Sequence, residues 1–528
     1  MVCYRPLLGK LLPSAIICLV GNVIAATPIF AQSNSGDYIP PPPPAMAPAE
    51  PDYTPPPPDA TPPPPPSPGI RTGGSAGATE DPPPPPDYSK VAPAPDYSAA
   101  PPPPTDAELA TLPALSFRPL EAGEAYHTRF SGTITENGPS GPVTVIDPDG
   151  LVGSILDLRG PGQPSVGQHW YDEPQRSPAT AADAGQIFGI AMDDFTEPNI
   201  YVTATSAFGL HLGPGTKDWM FGMWGPDGGP GTVYKLSAVT GYIPEVFADI
   251  KLEGRPNTGA ALGNVAYDRW HRQLFVTDLE TGMIHRLSGA DGRELSYLDH
   301  GLDVRPGFVD AWTGASLSLD PVVFDPNTAA NIDNCPAGAF ERSPECWNYA
   351  DFRRRPWGLG IRYDEKTKET RLYYGIWGSE GFGNPEWDGA GTDRRNSIWS
   401  IRIGDDGEFD ITSNRREFIL PAFFPPDAPA GKMAGNSNAV TDIEFADCGP
   451  QTVMLVAERG AVRNLGLDQE NGFARPHESR VLRYEIGEDG IWRPVGRYDV
   501  SFHERDVEGV PRIRAGGAGG CDFGYGYD

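Results

Sequence analysis

The chain has 528 residues, of which 70 are Asp or Glu and 41 are Lys or Arg, so its formal net charge is -29. A surface this acidic repels phosphate backbones, which argues against nucleic acid as a partner. Beyond residue 31, no stretch is long and apolar enough to span a membrane as a helix.

Residues 1–31 have the layout of a secretory signal peptide. Arg5 and Lys10 precede the apolar run LLPSAIICLVGNVIAA, and PIFA stands before Gln32. A basic start, an apolar centre and a small-residue end are what signal peptidase substrates share. The sequence therefore predicts a cleaved leader and a secreted or periplasmic mature chain.

Residues 32–107 are dominated by proline runs such as TPPPPDATPPPPPSP. Such a segment has too few apolar side chains to build a core, and proline fixes φ near the polyproline II value, so we predict a disordered, extended linker. Asp-Tyr pairs punctuate it at Asp37-Tyr38, Asp52-Tyr53, Asp87-Tyr88 and Asp96-Tyr97. The linker is either a plain spacer or, through these pairs, a docking motif for a proline-reading domain. Association of the chain with the cell wall or envelope through this linker is a further expectation.

The remainder, residues 108–528, contains a repeat. In Leu262–Gly292, LGNVAYDRWHRQLFVTDLETGMIHRLSGADG, short β-rich runs alternate with turn residues. Its first run aligns with three others, and all four end in Asp: FGIAMD (Phe188–Asp193), GNVAYD (Gly263–Asp268), LGIRYD (Leu359–Asp364) and TDIEFAD (Thr441–Asp447). Each is followed by a second β-rich run and a hairpin, so a unit of four strands recurs four times.

Two end fragments complete the pattern. FGYGYD (Phe523–Asp528) matches a first strand, whereas His127–Thr135 and Val143–Arg159 match a unit that lacks its first strand. The C-terminus can therefore supply the inner strand of an N-terminal blade, which predicts an all-β, closed β-propeller of four-stranded blades. We count five blades. The alternative is six, with an irregular sixth blade formed by Leu302–Pro356.

The repeated run V-A-Y-D, L-F-V-T-D, M-I-H-R-L resembles the NHL and SMP-30-like propeller superfamily, loosely over Ala125–Asp528, and the chain is also similar to uncharacterised exported bacterial propeller proteins. The resemblance implies a divalent metal held by Glu, Asn and Asp near the axis. Asn264, Asp442 and Glu444 are the matching candidates, as oxygen ligands for Ca²⁺. The sequence departs from that pattern because the aligned positions of other blades hold Gly189, Gly360 and Gly524, and no general base stands out.

The aligned Asp residues that close the first strands, Asp193, Asp268 and Asp364 among them, are predicted to be structural. Each would accept hydrogen bonds from the backbone of the following turn, as Asp commonly does.

In a propeller, the connections between second and third strands and those between blades lie on the same face. Here these connections are long and hold six aromatic residues: Trp219, Phe221, Trp224, Trp377, Phe382 and Trp387. They either bind a glycan or protein ligand or pack the loops themselves. The sequence thus favours a non-catalytic binding or scaffold module, with a Ca²⁺-dependent SMP-30-like lactonase or esterase as the alternative.

Four cysteines remain after the leader: Cys335, Cys346, Cys448 and Cys521. In an exported protein this even number suggests disulfides, and Cys335 with Cys346 closes one loop. The repeat alignment places Cys448 and Cys521 on opposite faces, too far apart to bond. Either Cys448 is a buried thiol or the alignment of that blade is wrong.

Overall fold

The computed structural model describes residues 118–138, 141–158, 175–216, 218–324, 350–378, 386–421, 438–446, 451–460, 479–497, 505–507, 510–512 and 519–523. The chain divides into one unit of Ala26–Leu112 and another of Met1–Ala25 with Pro113–Asp528. The first unit lies outside the described residues, so the leader and linker boundaries stay predictions. In the described part, no helix is long and apolar enough to cross a membrane.

Four sheets each contain four consecutive antiparallel strands, which pair in chain order. We number these sheets blades 2 to 5 and name their strands inner, second, third and outer. Blade 2 consists of Ile187–Met192, Ile200–Ala204, Thr232–Leu236 and Glu245–Asp249. Blade 3 consists of Leu262–Asp268, Gln273–Asp278, Met283–Ser288 and Glu294–Asp299. Blade 4 consists of Pro356–Asp364, Glu369–Ile376, Ser397–Ile403 and Phe409–Ile419. Blade 5 consists of Ala439–Phe445, Val453–Arg459, Ser479–Ile486 and Trp492–Arg497.

Blade 1 has three strands among the described residues, paired in the order Glu124–Thr128, Leu151–Asp157, Gln175–Thr180. The remaining hairpins are Thr133–Gly138 with Gly141–Ile146, Lys251–Leu252 with Arg255–Pro256, and Arg505–Val507 with Val510–Arg512. Helical turns are short: an α-helix at Ala181–Ala184, a π-helix at His300–Val304, and 3₁₀ turns at Ala238–Thr240, Phe352–Arg354, Trp387–Gly389 and Gly391–Arg394. The prediction of an all-β propeller of five blades is confirmed.

A repeated hydrogen bond joins each of the first blades to the next. The hydroxyl of Thr203, in the second strand of blade 2, donates to the Gly263 carbonyl of blade 3 at 2.9 Å. Thr277 donates in the same way to Trp357 of blade 4 at 2.7 Å, and Thr128 of blade 1 to Phe188 of blade 2 at 2.7 Å. Thr128 thus lies in a second strand, which leaves the inner position of blade 1 to another part of the chain.

Gly519–Phe523 lies beside blade 5 as an inner strand of the next blade would. The Thr441 hydroxyl donates to the Gly519 carbonyl at 2.6 Å, and the Cys521 N–H donates to the Asp442 carboxylate at 3.0 Å. Buried Cys521 packs on Leu455, Ala457 and Val481 of blade 5. Gly519–Phe523 is therefore the described part of the predicted C-terminal inner strand, and residues 524–528 lie outside the described residues.

The inner-strand alignment needs correction in two places. Each inner strand of blades 2 to 5 contains a register shift near its start, which a period-two pattern does not reveal. In blade 4 this shift puts Gly358, and not Gly360, at the position of Asn264. In the closing segment Gly520, and not Gly524, lies next to Asp442, because a Cβ on Gly520 would be 3.9 Å from the Asp442 carboxylate.

The described part of Leu302–Pro356 widens blade 4. Phe308–Asp310 pairs in parallel with the outer strand of blade 4, and Ser316–Leu317 adds one more strand outside it. The result is a six-stranded sheet. Within the described residues this insertion forms no separate sheet, so the alternative of a sixth blade is not supported.

Candidate functional site

Among the described residues, the side chains of Asn264 and Asp442 meet across the axis of the ring. Asn264 of blade 3 donates from Nδ2 to the Asp442 carboxylate of blade 5 at 2.7 Å. At the same level blades 2 and 4 carry Gly189 and Gly358. A Cβ on Gly189 would lie 2.8 Å from Asn264 Oδ1, and one on Gly358 would lie 2.7 Å from the Asp442 nitrogen. Glycine is needed there because the inner strands converge.

Asp442 ties three inner strands together. Its Oδ1 accepts from Asn264 and from the Ile443 N–H at 3.1 Å, and its Oδ2 accepts from the Cys521 N–H. These bonds favour the ionised carboxylate, but burial outweighs them and raises the pKa of Asp442 to about 6. The contribution of Cys521 is not readable from sequence, because the repeat alignment places the inner strand to which it belongs four residues later.

The third predicted metal ligand, Glu444, lies in the same inner strand as Asp442. Glu444 follows Asp442 by two residues and is partly exposed, so strand alternation places it on the same side. In the part of the chain that the structure describes, no three His, Cys, Asp or Glu side chains are arranged to hold a metal ion. The structure brings Asn264 and Asp442 together, and a Ca²⁺ site at Asn264, Asp442 and Glu444 stays a prediction.

Aromatic rings from several blades pack beside this axial pair. The ring of Phe188 meets Trp357 edge-on across the blades at 6.3 Å and Phe208 at 6.2 Å. The Arg459 guanidinium, also buried, lies 4.7 Å from the Phe208 ring centroid, and burial lowers the pKa of Arg459 to about 10. This cross-blade layer had no signal in the sequence, since its members come from separate repeats.

On the loop face, which carries the second-to-third and blade-to-blade connections, the structure brings together three of the six predicted aromatics. Trp219 and Trp224 pack edge-to-face with centroids 5.5 Å apart and are partly buried. Between them in sequence, Phe221 is 69% exposed. Asp218 and Asp227, nearby in the same loop, are also exposed. This loop is the part of the predicted surface that offers an apolar contact.

The other three aromatics are placed differently. Trp377 is fully buried and packs on Trp357 at 5.5 Å, so its ring presents no face to a ligand. Trp387 is partly buried, donates from Nε1 to the Gly378 carbonyl at 2.8 Å, and lies under the Arg394 guanidinium. Phe382 lies outside the described residues. For Trp377 and Trp387 the alternative prediction, packing of the loop itself, describes what the structure shows.

The strand-closing aspartates act as predicted. The Asp193 carboxylate accepts from the Asn199 N–H at 2.9 Å, Asp268 from the Trp270 N–H at 3.0 Å, and Asp364 from the Lys366 N–H at 2.9 Å. They hold the turns on the opposite face of the ring, here called the turn face, and the structural interpretation is confirmed for these three.

Of the four cysteines, only Cys521 lies in the described part, where it is buried within the closing strand. This differs from the predicted place before that strand, and follows from the register correction. Cys335, Cys346 and Cys448 lie outside the described residues, so the Cys335–Cys346 bridge and the state of Cys448 stay predictions.

Stability is expected to fall as the pH rises through the range of about 4 to 6. The folded-state pKa of Asp442 is about 6 against an ordinary 3.8, so between these values the folded chain binds more protons than the unfolded chain. One pKa unit corresponds to about 1.4 kcal/mol, and partial exposure weakens the effect, so we expect a loss of about 1–2 kcal/mol. Urea unfolding of the wild type and of Asp442→Asn at several pH values measures this change in the free energy of unfolding. Parallel pH profiles for the two proteins would contradict the expectation.

No family model matches the sequence, and no curated protein matches it. Three similar solved structures span much of the chain. Hydrazine synthase of Kuenenia stuttgartiensis is 10% identical, with a TM-score of 0.29, over 70% of this chain and 67% of that one. A protein from Lactobacillus plantarum is 11% identical, with a TM-score of 0.27, over 71% and 82%. An exo-1,5-α-L-arabinanase from a bovine ruminal metagenomic library is 9% identical, with a TM-score of 0.29, over 71% and 94%. At TM-scores this low these similarities carry no argument, and the NHL and SMP-30-like resemblance stays a prediction.

Proposed function

We propose that this chain is an exported, non-catalytic binding module whose loop face takes a glycan or a protein segment. The observation that supports this most is the exposure of Phe221 on a well-supported loop. A large aromatic ring that stays in solvent contributes nothing to the core, whereas it becomes a strong contact when a ligand covers it.

The loop that carries Phe221 is held in place from both sides. The Met220 N–H donates to the His211 carbonyl at 2.9 Å, and the Gln186 side-chain amide donates to the Gly222 carbonyl at 3.0 Å. The Trp219 ring packs so closely on Gly259 that a Cβ there would approach it to 2.7 Å. A ligand would therefore meet a preformed surface and lose little affinity to ordering the loop.

The alternative, a Ca²⁺-dependent lactonase or esterase, rests on Asn264 and Asp442. Their proximity supports it, but the Asp442 carboxylate already accepts three hydrogen bonds, which a bound ion would have to replace. Lactone turnover that requires Ca²⁺ and is lost in Asp442→Ala would favour the hydrolase over the binding module.

Phe221→Ala is expected to weaken binding of the loop-face ligand at least tenfold, because the exposed ring is the main apolar contact, while folding stability changes by less than about 0.5 kcal/mol. The full chain is screened against a glycan panel and an envelope-protein fraction, and hits are titrated with both proteins.

Val239→Ala is the matched control, since Val239 is an exposed apolar residue in a turn of the same blade on the turn face. Equal affinities for the wild type and Phe221→Ala across every hit would refute the proposed site.

A further inference from the structure

The turn face carries an exposed aromatic stack that the proposed function does not use. Trp270, in the turn after the inner strand of blade 3, is 40% exposed. Its ring lies nearly parallel to that of Tyr363 in blade 4, with centroids 4.9 Å apart and planes at 22°. The stack spans the boundary between two blades at the surface, so it forms a ledge of aromatic area facing solvent.

Hydrogen bonds fix the backbone at both rings of the stack. The Asp268 carboxylate accepts from the Trp270 N–H at 3.0 Å and the Gln273 amide at 3.0 Å. The Tyr363 N–H donates to the Gln451 side chain of blade 5 at 2.8 Å. The ledge is therefore preorganised, and a ligand would not have to order it.

Cations flank the ledge on both sides. The Arg269 guanidinium lies 5.9 Å from the Trp270 ring, and the Lys368 ammonium lies 5.9 Å from the Tyr363 ring. Arg272 and Lys366 are exposed in the same two turns. The equivalent turn of blade 2 holds Asp194, Glu197 and no cation, whereas the blade 4 turn places its two lysines between Glu365 and Glu369.

We propose that this cationic aromatic ledge binds an anionic polysaccharide made of uronate sugars. Aromatic rings take up the flat, apolar faces of sugar rings, and Arg and Lys pair with the carboxylates that uronates carry. The ledge offers the exposed part of the Trp270 ring and two cations from each turn to a ligand that carries one ring and one carboxylate in every unit.

An acidic polypeptide is the other polyanion that such a surface attracts. It supplies carboxylates, but its carboxylate-bearing side chains have no flat apolar face for Trp270 and Tyr363. If charge alone directed binding, the exposed Lys and Arg residues would suffice and the stacked rings would be irrelevant. The dependence on Trp270 therefore separates a uronate sugar from a generic polyanion.

The test titrates the full chain with a galacturonate oligosaccharide, a neutral glucose oligosaccharide of equal length and poly-glutamate, at low and high salt. We expect saturable binding of the uronate that weakens with salt and no binding of the neutral sugar. Trp270→Ala should weaken uronate binding at least tenfold while circular dichroism and a single cooperative unfolding transition show that the variant is folded.

Arg269→Gln and Lys368→Gln should each weaken uronate binding and reduce its dependence on salt. Val495→Ala, at an exposed apolar position in the outer strand of blade 5, is the matched control and should bind as the wild type does. Absence of uronate binding, equal affinity in Trp270→Ala, or tighter binding of poly-glutamate with the same dependence on Trp270 would each overturn the proposal.

Discussion

A chain that ends at residue 518 is expected to lose about 5 kcal/mol or more of its free energy of unfolding, more than a typical single substitution costs. The removed segment contains Cys521, whose burial covers Leu455 and Ala457 of blade 5. Its loss also leaves the Thr441 hydroxyl without its Gly519 acceptor and the Asp442 carboxylate without its Cys521 donor. Urea denaturation, followed by tryptophan fluorescence and circular dichroism, measures the change.

The matched control for this truncation is Thr441→Val, which removes only the hydroxyl that donates to the Gly519 carbonyl. We expect it to cost about 1 kcal/mol, the typical net value of one hydrogen bond. A truncated chain whose denaturation midpoint and compactness equal those of the full chain would show that Gly519–Phe523 does not close the ring.

Arg354→Met is expected to destabilise the protein by about 3–5 kcal/mol, because removing one partner of a buried ion pair leaves the other charge uncompensated. Arg354 is 1% exposed, and its Nη2 lies 2.9 Å from the Asp299 carboxylate at the end of blade 3. Its Nη1 donates to the Val322 carbonyl at 2.6 Å, so the side chain also fastens the insertion. Equilibrium unfolding in urea at pH 7 gives the magnitude.

The effect of Arg354→Met should shrink in acid. Burial already raises the pKa of Asp299, and without Arg354 that pKa would rise further. Protonation at low pH then removes the unpaired charge, so the variant recovers stability as the pH falls. Arg353→Met is the control, since Arg353 makes a more exposed pair with Asp351 and is expected to cost about 1 kcal/mol or less. Similar losses in the two variants would contradict the argument.

The repeat was readable from sequence because its period and punctuation are local properties. In Leu262–Gly292, runs rich in branched and aromatic residues alternate with turn residues, and the first three strands of blade 3 lie at those runs. The strand-closing Asp268 was likewise predictable, since Asp commonly accepts the backbone N–H groups of a following turn.

The exact inner-strand register was not predictable in the same way. The shift between Pro356 and Leu359 moves Gly358 to the axis, although Leu359–Asp364 matches the other repeats better by letter. Aromatic placement was equally hidden, because Trp377 and Phe221 both lie in long loop-face connections and only the surrounding contacts bury one and expose the other. The Trp270–Tyr363 stack depends on the spacing of adjacent blades, which no single repeat encodes.

In the described part of the chain, the threonine hydroxyl bonds between adjacent blades are present from blade 1 to blade 4 but not between blades 4 and 5. At the position that Thr203 and Thr277 hold in blades 2 and 3, blade 4 carries Gly375, on which Val440 of blade 5 packs directly. Apolar contact thus replaces the hydroxyl bond at this position, and the polar contacts between blades 4 and 5 lie at the turn face, where Arg362 and Tyr363 donate to Gln451 at 2.9 and 2.8 Å. The inner end of this seam therefore depends on fitted volume: a Cβ at Gly375 would come within 2.6 Å of the Val440 side chain, so even a methyl group there would push the two blades apart.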